Sequence, residues 1–345
     1  MAPPKKKSSV LSWLLTLSIA AVALYYSLRG IDWRQIGETV SHADLVYLPL
    51  VFALITASVF VRSYRWRVLL SAEEKLPVGL VFWAMAVGYL GNAVLPARAG
   101  ELLKTQMVSA RSRLSLSYVF ATALTGLAMD VIVVVVLSSI VMVMLPGSPE
   151  WLKKSSGTMA LFGLAGMAVL VILPHCEPLV TRFLRMVPGP ETLRVKLIGI
   201  GEQFLLGLRA FHHVSRFALF VGISFGVWLL DAWNSVLIAR ALHIAMPFAV
   251  AILLLAGLAL ASSAPSTPGY VGVYQIVAVG ILPEFGISKS AAIAYILVLQ
   301  AMSYVVYIFW GLPGLWKLKR ISVPGVREPV PDPDPVATSP RDGSH

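Results

Sequence analysis

Charge is the scarce ingredient of this chain. Asp, Glu, Lys and Arg supply 13% of its 345 residues, about half of the ~25% carried by an ordinary soluble domain. With 57% apolar residues beside that shortage, a soluble globular surface is excluded, and the chain reads as a polytopic, all-α integral membrane protein. Cysteine is down to Cys176 alone, which excludes an intramolecular disulfide and a thiolate metal cluster. The six histidines are scattered, or adjacent as in His212-His213, and adjacent residues face different sides of a helix, so no metal-ligating pair forms. No Gly-x-x-x-x-Gly-Lys phosphate loop occurs either. The expectation is a protein with no cofactor, no metal and no catalytic centre.

Long apolar runs are what remains. Segments of about 17–25 apolar residues are needed to cross the hydrocarbon core, and six qualify: Leu11–Leu28, Leu45–Val61, Leu116–Leu145, Met159–Leu173, Phe217–Ala239 and Ala291–Leu312. Two more, Val78–Leu95 and Phe248–Ala264, are interrupted. Small and polar residues gather at their ends, and each runs into a proline followed four residues later by a glycine: Pro96 to Gly100, and Pro265 to Gly269. Broken apolar segments at corresponding positions of two halves mark the midplane site of many transporters.

The net charge of +11 raises a nucleic-acid partner, but its distribution argues against one. With Lys5–Lys7 cytoplasmic and six crossings, 22 of the 28 Lys and Arg fall on the cytoplasmic side, as the positive-inside rule requires. Counting Val78–Leu95 as a full crossing would invert the loops that follow and export Arg182–Arg216. The reading is therefore about six transmembrane helices plus two re-entrant hairpins in an inverted repeat. Its domains are a cytoplasmic N-terminus (1–10), one membrane domain (11–318) with repeat halves at about 45–145 and 217–312, and a Pro-rich disordered tail (319–345). A cytoplasmic segment (177–216) joins the halves; within it, Thr192–Phe211 is amphipathic and suits a helix on the inner leaflet. Both termini face the cytoplasm, and the host bilayer is the cytoplasmic (inner) membrane.

The first break, Pro96-Ala-Arg98-Ala-Gly100-Glu101-Leu-Leu-Lys104, stops one helix and starts another. Unpaired N–H groups at the new helix start, with Arg98 beside them, suit a head-group phosphate. Glu101 and Lys104 lie one turn apart and can pair, and Asn92 and Arg65 are further head-group candidates. A surface ion pair beside a Gly turn explains the same residues about as well. The second break, Pro265-Ser266-Thr267-Pro268-Gly269-Tyr270, is uncharged and reads as a hinge, with Ser266 and Thr267 able to cap the next helix. Intramembrane carboxylates are functional candidates by default: Asp130, Asp231 and Glu101 suit ion coupling, or pairing with Arg62, Arg65 or Arg98.

Three blocks, RSYRWRVLL (62–70), GYLGNAVLPARAGELLKTQMV (88–108) and APSTPGYVGVYQIV (264–277), together resemble the flippase-like family, also named the lysylphosphatidylglycerol synthase transmembrane region. The resemblance spans roughly residues 11–318. It implies an integral membrane protein that moves or handles lipids: phospholipid, polyprenyl-linked or hopanoid-type. The family's Glu-Arg pair before the mid-span Asp is missing, since Gly126-Leu127 precede Asp130, and no soluble synthase domain is present to bring aminoacyl transfer. The expected function is a flippase for a phosphate-bearing lipid, with membrane lipids as partners, no nucleic acid, and a homo-oligomer left open. A lipid-modifying membrane enzyme and a non-transporting envelope scaffold are the alternatives.

Overall fold

The structure, a computed structural model, describes residues 28–320 apart from 31, 96–97, 145–149, 173–197, 200–201, 203–204, 206, 209–210, 212 and 264–266. The expected first span up to residue 27, the break residues Pro96, Pro265 and Ser266, most of the 177–216 segment and the tail beyond Arg320 lie outside these. Among the described residues there are ten α-helices and no strand: α1 Trp33–Ser41, α2 Tyr47–Leu70, α3 Val78–Val94, α4 Ala99–Ser109, α5 Leu116–Met144, α6 Glu150–Ile172, α7 Val214–Ala241, α8 Phe248–Ser263, α9 Val273–Ile281 and α10 Lys289–Arg320. The protein is a helical membrane protein. Four helices, α2, α5, α7 and α10, are long and apolar enough to cross a bilayer. In α6 the apolar part is shorter, Ala160–Val169.

Contacts fix the helix directions. Between α2 and α7, Asp44 N reaches Ala241 O at 2.8 Å, Ser58 reaches Asp231 at 2.6 Å and Arg65 reaches Ser224 at 3.1 Å. Residue numbers rise on one helix as they fall on the other, so these equivalent helices of the two halves are antiparallel, and the repeat is inverted. The pairs Arg65–Asp130 and Leu69–Tyr118 make α2 and α5 antiparallel as well. An even number of crossings must therefore separate α2 from α5. The 11 residues of α4 extend only about 16 Å at 1.5 Å per residue, half of the ~30 Å hydrocarbon core. Thus α3 and α4 enter and leave by the same side, as a re-entrant hairpin.

Two ends of the bundle follow. At one, α1 meets the start of α10 (Asp32 N to Ser290 Oγ, 3.2 Å) and His243 meets His42 O. At the other, Arg113 N meets Glu74 and Arg111 Nε meets Leu318 O. The α3–α4 hairpin enters from the second end, and the α8–α9 hairpin from the first. Their tips meet inside the bundle, where Arg98 Nη1 donates to Ser262 O at 3.0 Å and Gly269 lies against Ala93 O. Each hairpin leans on the other half of the chain: α3 packs on α10 through Gly311 and Gly314, and α8 packs on α5.

Four expectations are corrected. Helix α2 does not end at Val61; Trp66, Val68, Leu69 and Leu70 are buried and carry it to Leu70, so Arg62 and Arg65 are interior residues rather than loop cations. Gly100 is not in the break, which falls at Leu95–Arg98. It is the second residue of α4, and its missing Cβ leaves room for Gly88 O and Asn92 of α3. Thr267 caps no helix: its Oγ1 donates to Val271 O at 2.6 Å, while Gln275 Oε1 accepts from Gly272 N at the start of α9. Of the segment expected to lie on the inner leaflet, the described Leu205, Leu208 and Phe211 are buried in the bundle.

The α3–α4 seam tolerates no side chain at Gly100. Gly100→Ala should lower the thermal unfolding midpoint of detergent-purified protein, by about 1–3 kcal/mol of stability. Gly222→Ala in α7, where an added Cβ would meet nothing within 4 Å, should leave the midpoint unchanged or raise it. Equal midpoints for the two variants would refute the seam.

Candidate functional site

The hairpin tips enclose a cavity of about 440 Å³. Lining it are four cations, Arg62, Arg65, Arg98 and Lys104, and three carboxylates, Glu101, Asp130 and Asp231. The paired side chains keep only a sliver of exposure, 12% for Glu101 and 23% for Asp231, so breaking a pairing strands a charge away from water.

Each pairing has its own geometry. Arg65 grips Asp130 with two parallel bonds, Nη1 to Oδ1 at 2.5 Å and Nη2 to Oδ2 at 2.8 Å, the fork that guanidinium and carboxylate favour. Its Nη1 also reaches Ser224, and its guanidinium lies over the Phe220 ring. Arg62, one turn earlier, binds Asp231 at 2.5 Å and stacks over Trp228, 5.3 Å from the ring centre; Ser58 donates to the other oxygen of Asp231. Asp130 accepts a second, looser contact from Arg62 at 3.6 Å. On α4, Lys104 pairs with Glu101 at 2.6 Å and lies over Trp66, while Asn92 of α3 donates to Glu101 Oε1 at 3.2 Å.

Arg98 differs from the other three. Among the described residues its only bond is to the uncharged Ser262 carbonyl, and its buried Nε has no partner. It also holds a left-handed backbone, φ 55° and ψ 35°, which a non-glycine residue adopts at a cost of about 1–2 kcal/mol. That twist turns the chain from the tip into α4. The start of α4 itself is a poorer anion site than the sequence suggested: its first turn is packed on α3 and already carries Glu101.

The second hairpin brings neutral groups. Gly269, at φ 62°, presents its carbonyl to both Tyr304 Oη (2.6 Å) and Gln300 Nε2 (3.0 Å), and Gln275 braces Gln300 at 2.6 Å. Tyr270 stacks on Tyr274, and Tyr89 stacks on Tyr307, with ring centres 4.9 and 5.0 Å apart. The tip is held from several directions, which makes a rigid corner of the residues expected as a hinge.

So the structure brings together Asn92, Arg98, Glu101, Lys104, Arg65, Asp130, Asp231, Gly269 and Tyr270 around one cavity. Sequence reasoning had Arg62 only as a pairing partner, and it missed Ser58, Asn234, Tyr89, Tyr304 and Tyr307. Arg62 and Arg65 at i and i+3 in an apolar helix were the available signal. Gly222-Ile-Ser224-Phe-Gly226 also spells the Gly-x-Ser-x-Gly of a hydrolase nucleophile elbow, but it runs through the middle of α7, with Ser224 donating to Phe220 O and accepting from Arg65.

Removing one member of the forked pair should expose its structural weight. Asp130→Ala, which strands a buried guanidinium, should cost about 3–5 kcal/mol, and Arg65→Met with Asp130→Leu should restore much of it. A double variant no more stable than Asp130→Ala, measured by thermal unfolding, would refute the pairing.

Glycosyltransferase AglD of Haloferax volcanii is 23% identical, covering 91% of this chain and 55% of AglD, so the chain spans about half the length of that relative. A UPF0104 membrane protein of Methanothermobacter thermautotrophicus is 22% identical over 86% of this chain and 91% of its own length. The family model described as the lysylphosphatidylglycerol synthase TM region matches residues 13–311, and the chain belongs to that family.

Proposed function

We propose that this protein translocates a lipid with a phosphate-bearing head group across the membrane. The observation that carries the reading is Arg98: among the cavity's charged groups it alone lacks a charged partner in the described residues, and it sits where the two hairpin tips meet. A cavity of about 440 Å³ holds a head group but not two acyl chains. Around the tips, Val94, Leu95 and Leu260 are exposed apolar side chains that suit acyl chains remaining in the bilayer. Phosphate entering from either side would reach Arg98, exchange its Ser262 contact for a charge-assisted bond, and leave towards the other side as the hairpins shift. Asp130, Asp231 and Glu101 are the ion-coupling candidates. Each carboxylate of the cavity is engaged by a cation, which supports a binding role for them over an acid–base one.

In this reading the end carrying Arg67, Lys75, Arg111 and Arg113 faces the cytoplasm of the inner membrane. Arg62, Arg65, Arg98 and Lys104 leave the loop count because they are interior, and the bias survives without them. In a Cys176→Ser background, Lys75→Cys should be blocked by impermeant maleimide only after the cells are opened, and Ser288→Cys in intact spheroplasts. The reverse pattern would overturn the orientation.

Transport itself is tested in proteoliposomes carrying head-labelled and tail-labelled phosphatidylglycerol. Protein should speed loss of inner-leaflet protection above that of empty vesicles, and Arg98→Gln should abolish the gain while Arg98→Lys keeps part of it. No lipid movement, with or without a pH gradient, would sink the proposal.

A further inference from the structure

Charge removed from water is costly unless it is compensated, so a cavity whose charged groups are largely buried favours the ligand whose charge completes its own. Here the in-chain pairs account for nearly everything. Arg62 has Asp231, Arg65 has Asp130 and Lys104 has Glu101, while Arg98 has a neutral carbonyl. The excess is one positive charge. A phosphodiester, with one negative charge, cancels it. A phosphomonoester, with about −1.5 to −2 charges at pH 7, overshoots. A head group that adds an ammonium needs a carboxylate free of arginine or lysine, and each of the three is taken.

Hydrogen bonding narrows the class further. Asn234 lies one turn beyond Asp231 on α7 and is 8% exposed, and its Oδ1 is buried without a partner among the described residues. Tyr89 and Tyr307 also line the cavity, and neither hydroxyl donates to a described residue. A neutral hydroxyl on the ligand both donates and accepts, so it fits the Asn234 amide in either orientation and the tyrosines as well; an ammonium only donates. We infer that the cavity is selective for a phosphodiester lipid whose head group carries neutral hydroxyls, and that it discriminates against ammonium-bearing head groups and phosphomonoesters. Glycerol and a sugar alcohol share this chemistry. The inference deepens the transport reading and rests on it for the location of the head group.

The test is binding, measured apart from transport. Dihexanoyl lipids differing only in head group are titrated into the detergent-purified full chain, followed by tryptophan fluorescence. Phosphatidylglycerol or phosphatidylinositol should bind roughly tenfold more tightly than phosphatidylethanolamine and phosphatidic acid, the effect of one buried group left unpaired. Either hydroxyl lipid should also outbind phosphatidylmethanol, a phosphodiester without hydroxyls. The tighter of phosphatidylglycerol and phosphatidylinositol identifies glycerol or the sugar alcohol as the source. Asn234→Leu should erode the advantage over phosphatidylmethanol, and so should Tyr307→Phe, which removes only a hydroxyl and guards against a folding defect. Phosphatidylethanolamine or phosphatidic acid binding as tightly as the hydroxyl lipids would overturn the charge argument. Phosphatidylmethanol binding as tightly would overturn the hydroxyl argument. Selective binding without lipid movement in proteoliposomes would sink the transport reading and leave the head-group assignment standing.

Discussion

A helix that stops halfway across a bilayer has to hide its end. Each terminus leaves backbone N–H or C=O groups without intrahelical partners, and the hydrocarbon core offers no water to satisfy them. Two hairpins entering from opposite faces answer this by ending against each other. The guanidinium of Arg98 takes the Ser262 carbonyl at the last turn of α8, Tyr304 and Gln300 share the Gly269 carbonyl, and Gln275 takes Gly272 N. The polar groups at mid-depth serve the backbone first. Having gathered there, they also line a cavity.

The two halves repeat the same helical plan but divide the chemistry unequally. All four cations around the cavity come from α2, the first tip and α4, while the second half supplies Asp231 and a set of hydroxyls and amides. Arg62–Asp231 is consequently more than a local ion pair, because it ties the antiparallel α2 and α7 across the repeat boundary. Arg65–Asp130 does the same within the first half, between a spanning helix and the one that follows the hairpin.

Much of this plan was legible in the sequence, for a physical reason. Proline and glycine interrupt helices wherever they fall, so the two breaks announced themselves in an apolar chain, and loop charge was enough to orient them oppositely. Pairing was not legible. Asp130 could be recognised as a mid-span carboxylate, but the choice between Arg62, Arg65 and Arg98 depends on how α2 and α5 cross, 65 residues apart in the chain. The end of α2 misled for a related reason. Charge density at Arg62–Arg67 looks like a membrane boundary, and only partners on other helices make two of those arginines tolerable inside. Gly100 was read as a breaker because close approach and helix breaking use the same residue; the Gly88 carbonyl and Asn92 opposite it decide which.

For the proposed transport, the neutralised pairs suit passage rather than capture. Four unpaired cations in a cavity of low dielectric would hold a phosphate too firmly to release it, since each charge interaction grows as water is excluded. Conduction through a protein needs sites that favour entry yet permit exit. Setting a carboxylate against three of the four cations leaves a polar lining with a single positive charge in excess, and that charge sits on Arg98 at the seam between the two hairpins. Under the proposed transport, an anion there would compete with the Ser262 carbonyl, the contact that joins the tips, so the group proposed to receive the head group is also one that holds the seam.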